Sequence, residues 1–287
     1  MMKAAIYRKF GGPEVVNIEE IPKPSPRNTD ILVKVLATTV SIADHRVRCL
    51  DLPKGFWIFG PLALGVFAPR KKILGMDIAG IVQAVGKSVT KFKPGDEVIA
   101  LTGANFGGHA EYVCLPENDP ISLKPKNMNF EEAVTLVFGG VTALSFFNRF
   151  PIKSGDEVLV NGASGAVGTA VIQIANHFGA IVTGICSGGN AKFVSLLGAH
   201  HVIDYKREDF TKNGETYDVI VECVGNASFE RVRDSIKPGG VLLLMITDLK
   251  GTLSAWLNSK KSGKRITASQ DKPLAKDLVS YPPKLGR

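Results

Sequence analysis

The sequence is poor in the residues that most often announce a function. Four cysteines (Cys49, Cys114, Cys186 and Cys223) are scattered through 287 residues with no C-x-x-C spacing, which argues against a disulfide scaffold or a zinc ribbon. Three of them sit in or beside apolar runs, where cysteine serves as a small buried hydrophobe. Five histidines (His45, His109, His177, His200 and His201) show no ligand spacing with a second donor and read as ordinary surface or core residues. No uninterrupted apolar run reaches the ~18 residues that span a bilayer, and MMKAAIYRKF lacks a signal-peptide core. The expectation is a cytoplasmic chain with no transmembrane segment. Charge is not concentrated either: the net +8 is spread along the chain, with local clusters at Arg70–Lys72 and Lys260–Arg265. Such residues read as solvated loops, and no nucleic-acid partner is expected.

What the chain does have changes character partway along. Residues 1–125 carry short β-type runs at Met2–Tyr7, Val15–Glu20, Asp30–Ala37, Ile78–Val85, Glu97–Ala100 and His109–Leu115. Proline and glycine turns separate them, which predicts a compact β-rich domain. One segment breaks the pattern: Gly55–Pro69, GFWIFGPLALGVFAP, is too short to span a membrane and too apolar for an ordinary loop. A substrate pocket, a subunit contact, a membrane surface and a satellite hydrophobic cluster all fit it.

From Phe130, apolar strands alternate with helical runs. Strands are predicted at Val158–Val160, Ile181–Ile185, His201–Asp204, Val219–Glu222 and Gly240–Met245. Helices are predicted at Glu131–Val137, Val141–Phe150, Ala166–His177, Ala191–Leu197 and Ala227–Ile236, with a short one at Arg207–Lys212. Strict alternation specifies an α/β fold, a doubly wound parallel sheet with helices on both faces. The sequence KxGDEV occurs at Lys93–Val98 and at Lys153–Val158 and reads as one turn type used twice.

The stretch Glu157–Ser187 organises this second part. Strand, turn (Asn161-Gly162-Ala163-Ser164-Gly165), helix and second strand follow one another, and Ala163-Ser164-Gly165-Ala166-Val167-Gly168 fits G-x-G-x-x-G with alanine in the first place. Unpaired N–H groups and the helix dipole at such a helix start favour a phosphate. Gly165 would let the backbone approach a pyrophosphate, and Gly168 would let the helix pack on the strand. NAD-binding sites usually carry an acid about 20 residues on; here the second strand ends in Cys186-Ser187-Gly188-Gly189-Asn190. Without that carboxylate nothing repels a 2′-phosphate, and Ser187, Lys192 and Tyr205 can hydrogen-bond one. NADPH is therefore expected ahead of NADH.

Taken together, ILGMDIAGIVQAVG, FKPGDEV, GGHAEYV and NGASGAVGTAVIQIA resemble the medium-chain dehydrogenase/reductase superfamily from the first residue to about 250. The resemblance implies a GroES-like catalytic domain over 1–125 and a Rossmann domain over 126–255. It also implies an incomplete return to the catalytic domain over 256–287, starting near Gly263-Lys264-Arg265-Ile266. Zinc enzymes of the superfamily carry a cysteine and a His-Glu pair where this chain has Ser41 and Gly75-Met76-Asp77, so no zinc is expected. What remains is similar to the zinc-free quinone oxidoreductase branch, which implies hydride transfer from NADPH to a quinone or an α,β-unsaturated carbonyl. Alternatives are an enoyl-thioester reductase and a non-catalytic NADPH-binding or sensing protein. The resemblance places Thr142 near the nicotinamide and Val224 and Gly225 near the cofactor's ribose or nicotinamide, and gives Ser41 and Asp44 positioning roles. It implies a small electrophilic substrate and a homodimer, and it provides no convincing proton donor. Family members add tens of residues where this chain ends in PPKLGR; a truncated or divergent C-terminus would weaken activity.

Overall fold

Apolar residues two or four apart send their side chains to one face of a strand, and this period builds the first unit. The computed structural model describes residues 1–52, 59–246, 251, 255, 258, 263–268 and 278. These divide into one unit of residues 1–138 with the buried Leu278, and another of residues 139–268.

In the first unit β1 (Met2–Tyr7) and β2 (Val16–Ile21) form an antiparallel ribbon. The main sheet comprises β3 (Asp30–Thr38), β4 (Asp77–Val85), β5 (Glu97–Leu101), β6 (Tyr112–Pro116) and β7 (Ile121–Leu123), in the order β6-β3-β4-β5-β7. All its pairings are antiparallel. Ile31, Val33, Ile78, Val82, Val98, Ala100, Val113 and Leu115 make its core. This is the GroES-like β-rich fold expected.

Differences are local. β6 starts at Tyr112 rather than at residue 109, because residues 109–111 pair with β1 instead: Ala5 N–H donates to the His109 carbonyl and Glu111 N–H to that of Lys3. The three-residue β7 was not expected, nor was helix α1 (Ile42–Cys49). Of the apolar segment 55–69, the part up to residue 58 lies outside the described residues. Helix α2 (Phe59–Leu64) follows, and Leu62, Val66 and Phe67 are exposed.

The second unit is a six-stranded, all-parallel sheet of β8 (Glu157–Asn161), β9 (Ile181–Cys186), β10 (His201–Asp204), β11 (Tyr217–Glu222), β12 (Ile236–Leu244) and β13 (Arg265–Thr267). Its order is β10-β9-β8-β11-β12-β13, which is the 3-2-1-4-5-6 order of a Rossmann sheet. In such a sheet a ligand crevice opens where the strand order reverses, between the ends of the first and fourth strands. Here those are β8 and β11.

The helices include α3 (Phe130–Arg149), α4 (Ala166–His177), α5 (Ala191–Leu196) and α6 (Phe229–Val232). The two helices expected over 131–150 are one. Gly139-Gly140 stay helical although each costs about 1 kcal/mol against alanine, because Gly139 packs on α4: a Cβ there would lie 2.3 Å from the Ala166 carbonyl oxygen. At 20 residues α3 is long and apolar enough to cross a membrane, but its Ala133, Val134, Val137, Val141, Leu144, Phe146 and Phe147 are buried. The helix expected over 227–236 is shorter, since Ile236 is taken by the sheet and pairs with Tyr217. The run 207–212 contains only a 3₁₀ turn at Phe210–Lys212.

One expectation is overturned. Arg265 and Ile266 do not begin a return to the first unit; they pair in parallel with Val241 and Leu242 as the sixth strand, and the buried Ile266 packs in the same core as Leu242 and Ile220. Of the return expected over 256–287, all but residues 258, 263–268 and 278 lie outside the described residues.

The two KxGDEV segments do fold alike. In each the aspartate accepts the lysine N–H (2.9 Å for Asp96, 2.8 Å for Asp156) and donates its own N–H to the lysine carbonyl. In each the glycine takes φ near +90° (93° and 86°).

Candidate functional site

At the C-terminal edge of β8 the chain turns through Gly162, which has φ 86°. The N–H groups of Gly162 and Ala163 donate to the Ile185 carbonyl at the end of β9 (3.2 and 2.9 Å). Gly165 N–H donates back to the Gly162 carbonyl (3.0 Å), so the loop closes on itself and α4 begins at Ala166. Gly165 takes the cap position with extended backbone, and among the described residues no side chain caps this helix end. Ala163 is fully buried, whereas Gly165 and Ala166 are exposed and Ser164 and Val167 are half-buried. An uncapped helix start with an exposed glycine corner suits an anion better than it suits packing. At Gly168 a Cβ would lie 2.2 Å from the Gly162 carbonyl oxygen, so only glycine permits the helix to sit this close.

Across the reversal point, Val224 and Gly225 follow β11. Their loop is tied by Glu222, which is 1% exposed: one carboxylate oxygen accepts the N–H groups of Val224 and Gly225 (2.6 and 2.7 Å), the other accepts the Asn161 amide (2.7 Å). Asn161 also donates to Asn226 (2.8 Å). Val224 is thereby held against the loop: a Cβ on Gly162 would touch its methyl at 2.9 Å. Burial, with Glu222 beside it, pushes the Cys223 thiol far up, so that cysteine is inert at neutral pH. Glu222→Ala would leave three N–H groups without their acceptor and is expected to lower the unfolding free energy by about 3 kcal/mol. Glu222→Gln, which keeps an acceptor oxygen, should cost about half of that. Urea unfolding of the two variants checks this, and a loss below about 1 kcal/mol for alanine would show that the loop needs no anchor.

At the end of β9, the Asn190 amide donates to the hydroxyl oxygens of Ser164 (3.1 Å) and Ser187 (3.4 Å), joining the glycine loop to the residues after the second strand. Lys192 is exposed on α5, and Tyr205, 59% exposed, hangs from its N–H to the Cys186 carbonyl (3.2 Å). An acid does approach from the next strand: a Cβ on Gly188 would lie 2.7 Å from Asp204 Oδ2. Asp204 already accepts the Lys206 N–H (3.1 Å) and lies 3.7 Å from the Arg207 guanidinium. Thr142, half-buried, stands one turn beyond Gly139 on α3.

Within the second unit the structure thus gathers Gly162–Gly168, Ser187, Val224 and Gly225 about one edge of the sheet. Sequence reasoning missed Asn161, Glu222, Asn190 and Asp204. All but Asn190 end a strand at that edge, and an Asn and a Glu ending the first and fourth strands were the signal available.

In the first unit Ser41 and Asp44 form a capping box on α1. Asp44, 2% exposed, accepts Ser41 N–H and Oγ–H (both 2.8 Å) with one oxygen and Gly75 N–H (2.8 Å) with the other. The pair thus shapes the loop leading to Met76 and Asp77. Asp77, 3% exposed, accepts the Thr39 hydroxyl at Oδ2 (2.6 Å) while its Oδ1 has no partner among the described residues. Burial, and secondarily the charge of Asp44, raises its pKa from 3.8 to about 6.

A glycine-cornered helix start at the order reversal of a 3-2-1-4-5-6 parallel sheet, in one chain with a GroES-like β unit, is the architecture of the medium-chain dehydrogenase/reductase superfamily. Comparison with known proteins agrees. Residues 27–126 match the alcohol dehydrogenase GroES-like domain, and residues 166–265 match the family described as zinc-binding dehydrogenase. Over 85% of its length the chain is 33% identical to a 2-methylene-furan-3-one reductase of Solanum lycopersicum, of which it spans 62%. Over the same share it is 32% identical to a quinone oxidoreductase of Sus scrofa, of which it spans 73%. The quinone oxidoreductase of Coxiella burnetii superposes on 99% of this chain and 87% of its own, with TM-score 0.85 and 28% identity. The chain belongs to the medium-chain dehydrogenase/reductase superfamily, in its quinone oxidoreductase-like branch of oxidoreductases.

Proposed function

We propose that this protein is an NADPH-dependent, zinc-free reductase of quinones or α,β-unsaturated carbonyls. The observation that carries the cofactor is the end of β9, where Ser187, linked through Asn190 to Ser164 of the glycine loop, stands in place of the usual acid. Hydroxyls and an amide there can donate to a 2′-phosphate, with Lys192 and Tyr205 beside them, whereas a carboxylate would repel it. The loop Gly162–Gly168 would hold the pyrophosphate, and Thr142, Val224 and Gly225 would flank the nicotinamide end, which supplies the hydride when bound.

The residues present do not suit a catalytic zinc. Ser41 Oγ is occupied in its cap, Met76 offers only a thioether, and Asp77 gives one oxygen to Thr39. Among the described residues no three His, Cys, Asp or Glu side chains converge as a metal site. Without a Lewis acid the acceptor must itself be electrophilic, and rate then comes from holding it against the nicotinamide. The reading extends to a cytoplasmic homodimer.

NADPH and NADH titrations followed by turnover of a quinone, an enone and an enoyl-CoA test it. The expected result is at least tenfold tighter binding of NADPH and oxidation of it by the quinone or enone, with under 0.1 zinc per chain by elemental analysis. Preference for NADH would point instead to Asp204 as the ribose acid. Exclusive use of enoyl-CoA would make it a thioester reductase, and tight NADPH binding without turnover a sensor.

A further inference from the structure

No Asp or Glu occurs between Leu52 and Met76, a stretch that contains the apolar segment 55–69 and, directly after it, Arg70-Lys71-Lys72. Its apolar side chains do not all turn inward. Leu62 is 58% exposed, Val66 54% and Phe67 97%, and the three basic residues are exposed beside them. Single exposed apolar residues are ordinary on a protein surface. Three within one short run, next to three cations, are not.

The backbone holds this tip in place. Gly65 N–H donates to the Pro61 carbonyl (2.7 Å) and Arg70 N–H to the Leu64 carbonyl (2.8 Å), so the chain leaves α2, turns through residues 66–68 and closes on itself. Gly65, at φ 121°, and Pro69 are buried at the base, and a Cβ on Gly65 would collide with the Ala68 carbonyl oxygen. Beyond the basic cluster, Tyr7 N–H donates to the Lys72 carbonyl (3.0 Å), and Leu74 is buried with Tyr7, Val15 and Phe106. Phe67 is thus held out in solvent by a hydrogen-bonded loop whose two ends are fastened. Among the described residues none of the three basic side chains forms an ion pair. Glu19, whose charge Lys72 feels, is itself paired with Arg8 at 2.6 Å.

We propose that this tip docks the protein peripherally on an anionic lipid bilayer, with Leu62, Val66 and Phe67 entering the acyl boundary and Arg70, Lys71 and Lys72 lying among the headgroup phosphates. Charge complementarity selects the occupant: an apolar point flanked by cations, with no acid in its own stretch of chain, matches a negative headgroup layer over hydrocarbon. A side chain as exposed as Phe67 projects beyond its neighbours. A protein partner would need a pocket shaped to receive it, whereas hydrocarbon needs none. A second copy is a poor match, because a twofold contact through this tip brings two basic clusters together in a chain whose net charge is already +8. Since the loop is tied before docking, little affinity is lost to ordering it. Binding strength sums apolar burial and attraction to anionic lipid, so removing either releases the protein. The inference is independent of cofactor and acceptor.

The test floats the protein with vesicles of phosphatidylcholine alone or with about one-third phosphatidylserine. About tenfold more protein is expected on the anionic vesicles, falling about tenfold when salt is raised from about 0.1 to about 0.5 M. Phe67→Ser, and Arg70→Gln combined with Lys71→Gln, should each bind about tenfold more weakly while unfolding at the native temperature, since all three side chains are exposed. Phe67→Trp should bind like native protein, and the emission it adds should be quenched by lipids brominated in the acyl chains. Equal or absent binding to the two vesicles overturns the proposal. So does native-like binding of Phe67→Ser, which would reduce the attraction to net charge. If Phe67→Ser unfolds early, the quenching of Phe67→Trp decides, and its absence overturns the proposal. Dimerisation lost in Phe67→Ser without vesicle binding gives the tip to a second copy, and capture of polyglutamate but not vesicles gives it to an acidic protein; either result overturns it.

Discussion

Gly168→Ala is expected to weaken NADPH binding by at least 100-fold and to destabilise the free protein by about 2–3 kcal/mol. The added carbon would sit 2.2 Å from the Gly162 carbonyl oxygen and 2.9 Å from Ala163 Cα. Both neighbours are backbone, tied to β9 through the Ile185 carbonyl, so neither can yield cheaply. Overpacking of a rigid site costs 1–3 kcal/mol. Relief by moving α4 would carry its uncapped N–H groups away from the phosphate that the proposed function assigns to them. Gly165→Ala separates the two effects. Its Cβ would meet only the Gly162 carbonyl oxygen, at 3.3 Å, and its backbone is extended with φ −83°. That variant should keep native stability within about 0.5 kcal/mol yet still bind NADPH poorly, because on the proposed reading its methyl takes space at the exposed corner that the pyrophosphate would approach. Thermal unfolding and fluorescence titration of both variants check this. Native-like stability for Gly168→Ala would mean the helix–strand contact is looser than the structure has it.

The second large effect is a pH dependence of stability that one residue carries. With a pKa near 6 in the folded protein and 3.8 as its ordinary value, Asp77 binds more protons folded than unfolded between those limits. Stability therefore falls as pH rises from about 4 to about 6 and is level above that. The gap is worth about 3 kcal/mol. Asp77→Asn removes it while keeping an oxygen for Thr39. Any cost of an unpartnered amide in place of Oδ1 does not change with pH. Relative to native protein, the variant should therefore gain about 2–2.5 kcal/mol between pH 4 and pH 7.5, since at pH 4 the unfolded carboxyl is already partly ionised, measured by urea unfolding at both. Parallel profiles for the two proteins would show that Asp77 is solvated after all.

The second unit was more legible in the sequence than the first. Each βα step there is local: Val158–Val160 is a continuous apolar run, Ile181–Ile185 a mostly apolar one, and Gly165 with Gly168 marks the turn between them. What escaped was set by contacts between distant segments. The three residues of β13 are recognisable as strand only beside β12. Gly139 and Gly140 look like a break in α3 until the approach of Ala166 explains them. Ser41 and Asp44 have positioning roles only by resemblance, and α1 has too few apolar residues to show a helical period, so their capping box is legible only in the structure. The roles of Asn161 and Glu222 depend on two strand ends, 61 residues apart, meeting where the sheet order reverses.

The tie made by Glu222 has a kinetic side. Because Val224 and Gly225 are fastened by their own N–H groups before any ligand arrives, that wall of the crevice is ordered in the free protein. A ligand entering there meets a finished surface and loses no affinity to ordering it. Encounter there need not wait for loop rearrangement, so association should rise linearly with cofactor concentration, with no plateau from a slow preceding step. Amide exchange at Val224 and Gly225 should be slow in the free protein, and cofactor should slow it little further.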